Sequence, residues 1–173
     1  MQFDRRHILI TGASGGIGSA LAHALAAEKA SLLLHGRNRS ALTTLADECR
    51  QLGAGEVQVC SADLATTEGR AVLIDHVQSN FSKLDTLINN AGVSRFQVFD
   101  QQTPEQIEHL LTTNITAPIL LTRALISPLL ETSGESPVIL NIGSAFGALG
   151  FPGYSTYCAS KAAIRLFSEA LAR

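Results

Sequence analysis

Residues 7–18 read His7-Ile8-Leu9-Ile10-Thr11-Gly12-Ala13-Ser14-Gly15-Gly16-Ile17-Gly18. A short apolar run of strand character leads straight into a glycine-rich turn, and a segment of helical periodicity follows. Glycines in such a place permit a tight turn, close approach of backbone to a pyrophosphate, and close packing of helix on strand. The helix start then offers unpaired N–H groups and the positive end of its dipole to phosphate oxygens. A turn of this kind can serve chain topology alone. Between a strand and a helix, however, it points to nucleotide binding, with Gly12, Ser14, Gly15, Gly16, Ile17 and Gly18 as the phosphate-side residues.

Outward from this turn, the same alternation repeats along the chain. Strands are predicted at His7–Thr11, Ser31–His35, Val57–Ala62, Asp85–Asn89 and Val138–Ile142. Most are near-continuous Leu/Ile/Val runs, as parallel strands covered on both faces require. Helices are predicted at Gly16–Glu28, Ser40–Gln51, Thr67–Ser79, Thr103–Leu130 and Tyr154–Ala172. The fourth opens with Thr103 as N-cap and Pro104 at the first helical position, and Pro118 and Pro128 are expected to kink or shorten it. Strand–helix alternation of this kind predicts an α/β fold: a Rossmann-type, doubly wound parallel sheet in three layers, α/β/α. Ligands of such sheets sit at the carboxyl ends of the strands, near the topological switch point.

Composition fits one compact domain over residues 1–173. Hydrophobic residues make up 46% and charged residues 16% of the chain, which places it far from the signature of disorder. The net charge of −2, without a run of Lys or Arg, gives nucleic acid or an anionic membrane little to attract. No uninterrupted apolar stretch reads as a bilayer span. Cys49, Cys60 and Cys158 are widely spaced with no CxxC pair, which suggests free thiols in a reducing compartment, and a cytoplasmic protein is expected. His7, His23, His35, His76 and His109 show no metal-ligand spacing, and there is no Gly-x-Ser-x-Gly elbow for serine-hydrolase chemistry.

The glycine spacing, Thr-Gly-x-x-x-Gly-x-Gly at residues 11–18, resembles the signature of the short-chain dehydrogenase/reductase family. Asn89-Asn90-Ala91-Gly92, Asn114, Ser144 and the pair Tyr157/Lys161 match further family positions, so the resemblance spans about residues 7–170. It implies an oxidoreductase that moves a hydride between a nicotinamide cofactor and a carbonyl or secondary-alcohol substrate. It also implies Asp63 and Leu64 beside the adenine, and Asn90, Ala91 and Gly92 along the cofactor. For Asp63 a purely structural role as a helix N-terminal acid stands as the alternative.

The choice of dinucleotide rests on Gly36-Arg37-Asn38-Arg39. Gly36 stands where an NAD enzyme usually carries an acid for the adenine-side ribose. A guanidinium at Arg37, with Arg39 in support, would bind a 2′-phosphate through charge-assisted hydrogen bonds. NADP (as NADPH) is therefore expected over NAD, against the alternative of a merely solvated Arg37.

Tyr157 and Lys161 lie four apart on a helix and so share one face. A phenol is a poor base at neutral pH, but a nearby ammonium and a positive nicotinamide ring both favour its anion. Tyr157 can then exchange a proton with the substrate oxygen. The resemblance implies that Ser144, thirteen residues before Tyr157, holds the same oxygen. It implies that Asn114 orders water and Lys161 into a proton relay, and that Tyr157 and Lys161 also touch the cofactor. Tyr154 lacks a lysine four residues on; Ser155 and Thr156 read as helix caps, and Cys158 as a packing residue.

Family members continue past the position of Arg173 with a sixth strand, a loop near the nicotinamide, substrate-covering helices and a seventh strand. The chain is thus expected to lack the substrate lid, with its fifth strand an exposed edge. A non-catalytic nucleotide-binding or interaction module is the competing reading. The resemblance further implies a homo-oligomer, paired through helices near Thr103–Leu130 and Tyr154–Ala172.

Overall fold

The computed structural model describes residues 3–81, 84–132 and 137–172. Five strands, β1 (His7–Ile10), β2 (Ser31–Gly36), β3 (Val57–Ser61), β4 (Thr86–Asn89) and β5 (Val138–Asn141), form one parallel sheet in the order β3-β2-β1-β4-β5. Helices α1 (Gly16–Ala27) and α2 (Arg39–Gln51) follow β1 and β2; α3 (Thr67–Asn80) follows β3. Then come α4 (Pro104–Leu111), α5 (Ala117–Thr132) and, after β5, α6 (Ser155–Leu171). The order reverses between β1 and β4, which is the switch point where a ligand cleft belongs.

Alternate side chains of the strands feed two cores. Ile8, Ile10, Leu32 and Leu34 pack with Ala22, Ala26, Leu42 and Leu45 of α1 and α2. On the other face Leu9, Leu33 and Leu87 meet Leu73 and Val77 of α3 and Leu121, Leu125 and Leu129 of α5. All six residues of β2 are buried, which accounts for its unbroken apolar run. β5 is different. No residue of it is fully buried, Leu140 is exposed, and among the described residues it is an edge, as the sequence leads one to expect.

The fourth predicted helix is where sequence and structure diverge. A Thr103–Gln106 capping box starts α4 at Pro104, as its sequence implies. The break then falls neither at Pro118 nor at Pro128 but at a π-helical turn, Thr112–Thr116, in which the Ala117 N–H reaches back to the Thr112 carbonyl. Pro118 has no N–H to offer the carbonyl of Asn114 four residues earlier, so a regular α-helical ladder cannot pass this point. Pro128 lies within α5. Together these pieces make a helical stretch, Pro104–Glu131, that by length and composition could cross a membrane, although it is not an uninterrupted apolar run: Glu105, Glu108, Asn114 and Arg123 fall within it. Its apolar residues Leu110, Leu121, Leu125 and Leu129 are buried inside the fold.

Leu121 is fully buried between α5 and the sheet. Replacing it with alanine should lower unfolding stability by about 3 kcal/mol, from lost transfer energy plus a residual cavity. Urea unfolding followed by circular dichroism measures this directly.

Candidate active site

Thr11, fully buried at the end of β1, organises the switch point. Its hydroxyl donates to the Ile88 carbonyl at 3.2 Å and accepts the Asn90 and Ala91 N–H groups, each at 3.0 Å. The Asn90 amide nitrogen answers by donating to the carbonyls of Thr11 (2.9 Å) and Gly12 (3.0 Å). The ends of β1 and β4 are thereby locked together, and the glycine turn departs from this lock. Gly12 sits at φ +62°, and a Cβ there would come within 2.8 Å of the Ala91 Cα. Gly18 is buried beneath the turn, where a Cβ would lie 2.8 Å from the Ala13 Cα. Gly15, as N-cap of α1, supplies no side chain to the first N–H groups of the helix.

A cleft of about 520 Å³ opens above this lock. It is lined by Gly12, Ser14, Gly15, Gly16 and Ile17 from the turn, by Gly36 and Arg37 after β2, by Asp63 and Leu64 after β3, and by Asn90, Ala91 and Gly92 after β4. The structure therefore brings together all but three of the residues expected to touch a dinucleotide. Gly18 underlies the cleft rather than lining it. Tyr157 and Lys161 stand beyond its Gly92 end, where a Cβ on Gly92 would be 3.8 Å from Lys161 Nζ and 3.3 Å from Asn114 Oδ1. The lining also includes His35, Ala62, Val93 and Thr113, which the sequence reading did not single out; each adjoins a residue or motif that it did.

Asp63 is not an acid of the α3 first turn. Thr66 caps that helix through its hydroxyl, and Asp63 Oδ1 instead accepts the Ala65 N–H at 3.0 Å in the preceding loop. Arg37 is exposed at the rim of the cleft, whereas Arg39 opens α2 outside its lining.

At the other end, α6 presents Tyr157 and Lys161 on one face, with Lys161 Nζ 5.9 Å from the centre of the Tyr157 ring. Lys161 is buried and donates to the Ile142 carbonyl at 2.7 Å. Loss of water around it holds its amine below the usual lysine range. Asn114, buried in the π turn, accepts the Val93 N–H at 2.8 Å and donates to the Val93 carbonyl at 2.9 Å and to Ser160 Oγ at 3.0 Å. Ser160 Oγ in turn donates to the Tyr157 carbonyl at 2.8 Å. Ser144 starts the 3₁₀ turn Ala145–Gly147, accepting the Phe146 N–H at 3.2 Å. Gly147 lies so close to α6 that a Cβ would be 2.9 Å from the Lys161 carbonyl carbon, which docks this turn beside the Tyr157/Lys161 pair. Ser155 and Thr156 do not cap α6: Tyr154 occupies the N-cap, and Thr156 donates to Gln102 Oε1 at 2.6 Å. Cys158 is buried, as a packing residue should be.

The family model described as short chain dehydrogenase matches residues 6–173. The chain belongs to the short-chain dehydrogenase/reductase family. It is 38% identical to nodulation protein G of Rhizobium sp. (strain N33) over 97% of its length, spanning 66% of that protein. It is 34% identical to 11-beta-hydroxysteroid dehydrogenase-like 4A of Arabidopsis thaliana over 95% of its length, and spans only about half (54%) of that relative. Among solved structures, a short-chain dehydrogenase from Sphingobium yanoikuyae in complex with NADPH superposes with a TM-score of 0.88 at 34% identity, over 96% of this chain and 64% of the other. The short-chain dehydrogenase fold is thus present through α6.

His35 offers a check on the electrostatics of the cleft. Burial lowers its imidazole from 6.5 to about 4, partly opposed by the Ala62 carbonyl and by Asp63. The unfolded chain therefore binds a proton between these values that the folded chain refuses, so stability falls as pH drops from 6.5 towards 4. The full loss is about 3 kcal/mol. In His35→Gln the same titration by chemical denaturation should be visibly flatter.

Proposed function

We propose that the chain carries the cofactor-binding and proton-transfer machinery of an NADP-dependent oxidoreductase acting on a carbonyl compound or secondary alcohol. One observation carries the reading: the cleft above the Thr11–Asn90 lock ends at Gly92, directly against Lys161 and Asn114. On this reading the dinucleotide site and the proton-transfer residues would be contiguous.

The cleft fits a dinucleotide on its own terms. The uncapped start of α1 and the bare backbone of Gly12, Gly15 and Gly16 suit a pyrophosphate. Gly36 brings no carboxylate to the ribose end, and Arg37 stands there exposed, able to pair with a 2′-phosphate. Asp63 and Leu64 would border the adenine, and Asn90, Ala91 and Gly92 the path towards the nicotinamide. A bound nicotinamide dinucleotide would supply or accept the hydride.

The remaining chemistry belongs to the side chains. Tyr157 Oη would donate a proton to the substrate oxygen during reduction and take it back during oxidation. Ser144 would hold that oxygen by a second hydrogen bond. The Lys161 ammonium, kept from water and tethered to the Ile142 carbonyl, would favour the phenolate of Tyr157. Asn114 would act on the relay chiefly as a positioning residue. Its carboxamide is occupied by Val93 and Ser160, and its backbone carbonyl cannot receive the usual i+4 N–H because residue 118 is proline.

The reading extends to the assembly. Leu120, Leu166 and Leu171 are exposed on α5 and α6, which suits pairing of these helices between copies in a cytoplasmic homo-oligomer.

Tyr157→Phe should reduce turnover of NADPH with ketones by at least a factor of about 10² while leaving the thermal midpoint unchanged and NADPH still bound. Retained turnover would overturn the reading. Arg37→Ala should weaken NADPH by roughly 10–100-fold, the value of one or two charge-assisted bonds, and leave NADH affinity as it was. Fluorescence titration of the reduced nicotinamide reads both. Binding without any turnover, in a chain with Tyr157 intact, would instead favour the non-catalytic nucleotide-binding module.

A further inference from the structure

Both tyrosines and three of the seven phenylalanines of this chain gather around the tip of α6. Phe146 and Phe151 stack with centroids 5.1 Å apart and planes 16° from parallel. Tyr154 sits tilted against Phe146 at 5.2 Å and against Phe96 at 5.3 Å. Tyr157 closes the group, 6.0 Å from Tyr154 and edge-on to Phe146 at 6.4 Å.

This cluster is not part of either core. Phe96 is 70% and Phe151 50% exposed, and Leu149 between the rings' loops is exposed as well. Exposed aromatics on a mobile tail would mean little, but these are fixed. The Gln97 N–H donates to the Gly153 carbonyl at 2.9 Å, joining the loop after β4 to the loop before α6. Gly153 adopts φ +78°, and the ring of Phe96 occupies the space where a Cβ would be, its Cε2 only 2.5 Å from that position. Any side chain at 153 would push Phe96 away. The loop running from Ser144 to Tyr154 contains no charged residue, and Arg95 is the one charge on the facing stretch 93–99.

We propose that these rings form the substrate wall of the site, and that they select a planar, uncharged aryl or polycyclic ketone over a small polar or anionic one. The inference rests on the oxidoreductase reading of Tyr157. An apolar surface bordered by a few polar groups, here the hydroxyl of Tyr157 and that of Ser144 at the start of the turn docked on α6, is what would orient an apolar body by a single carbonyl oxygen. Ring faces already held in place stack on a flat ligand without a further ordering cost, an advantage that a flexible or strongly hydrated substrate would not exploit. Phe96 and Phe151 are specificity-determining residues in this scheme, not catalytic ones.

The test compares 1-acetylnaphthalene, hydroxyacetone and acetoacetate on the 173-residue chain, by NADPH consumption and, independently of turnover, by saturation-transfer NMR binding in the presence of NADP. The expected result is preferential binding of 1-acetylnaphthalene, weakened roughly tenfold by Phe96→Ala and by Phe151→Ala, with NADPH affinity unaltered in both variants. Phe96→Leu should recover only part of the loss, because area returns and stacking does not. Tyr157→Phe should retain 1-acetylnaphthalene binding while losing turnover. If the oxidoreductase reading alone is wrong, no ketone is reduced, yet 1-acetylnaphthalene still binds and Phe96→Ala still weakens it. If hydroxyacetone or acetoacetate is preferred, or if none of the three binds, the wall is not a selector and the proposal is overturned. A change in sedimenting mass on Phe96→Ala, with ketone affinity constant, would mark the rings as a contact between copies and would equally overturn it.

Discussion

The hydroxyl of Thr11 is the smallest element on which everything else here depends. One oxygen donates to Ile88 and accepts from Asn90 and Ala91, and the Asn90 amide returns two bonds to the glycine turn. A parallel sheet leaves the carbonyl and N–H groups at its carboxyl edge without ladder partners wherever a strand ends. At a switch point two such ends lie side by side, and the chain leaves them in different directions. Here the lock satisfies these groups internally, at about 0.5–1.5 kcal/mol net for each bond and a larger penalty if one is left unmade. It also frees the floor of the cleft from any need for side chains. Because Asn90 holds the turn from below, Gly12, Gly15 and Gly16 present bare backbone to the cleft.

The same economy of side chains links the two ends of the site. Gly92 follows the lock by one residue, and Val93 binds the Asn114 carboxamide through both its N–H and its carbonyl. Asn114 passes the connection to Ser160, and Ser160 to the backbone of Tyr157. A continuous hydrogen-bonded path therefore runs from the cleft wall to the first turn of α6 without a charged residue in it. Lys161, one residue after Ser160, places a charge 5.9 Å from the centre of the Tyr157 ring, and its burial limits screening of that charge by solvent. Position is fixed by neutral bonds and electrostatics by one ammonium.

Much of this was legible in the sequence, for physical reasons that differ by element. The central strands β1, β2 and β4 are legible because they are buried on both faces and built around Leu and Ile; the glycine turn is legible because Gly12 combines φ +62° with a 2.8 Å approach that leaves no room for a side chain. Strand and helix limits moved by only a residue or two. The π turn at Thr112–Thr116 could not be read from periodicity, since one extra residue in a helix shifts the apolar pattern no more than ordinary irregularity does. Pro118 was the available signal, and its effect falls four residues upstream, on the carbonyl of Asn114, rather than at the proline itself. Thr156 was misread as a cap because its partner, Gln102, lies in a different segment of the chain. Asp63 kept two local readings until the cap of α3 was seen to be Thr66. His35 reads in the sequence only as a strand-end histidine without metal-ligand spacing; its place in the cleft lining depends on packing that the linear pattern does not carry.

Aromatic placement shows why long-range arrangement escapes a linear reading. Phe96, Phe146, Phe151 and Tyr154 come from loops more than 50 positions apart in part, with neither strand nor helix periodicity to align them. What aligns them is backbone: the Gln97 N–H on the Gly153 carbonyl, and a glycine whose missing side chain makes room for a ring. The two cores of the sheet need no such device, because alternation along the strands sorts their side chains automatically. The rings at the tip of α6 lie outside both cores and are held by the contact between residues 96–97 and Gly153. Rigidity without burial is a poor way to stabilise a fold and a good way to hold a surface ready for something flat to settle on it.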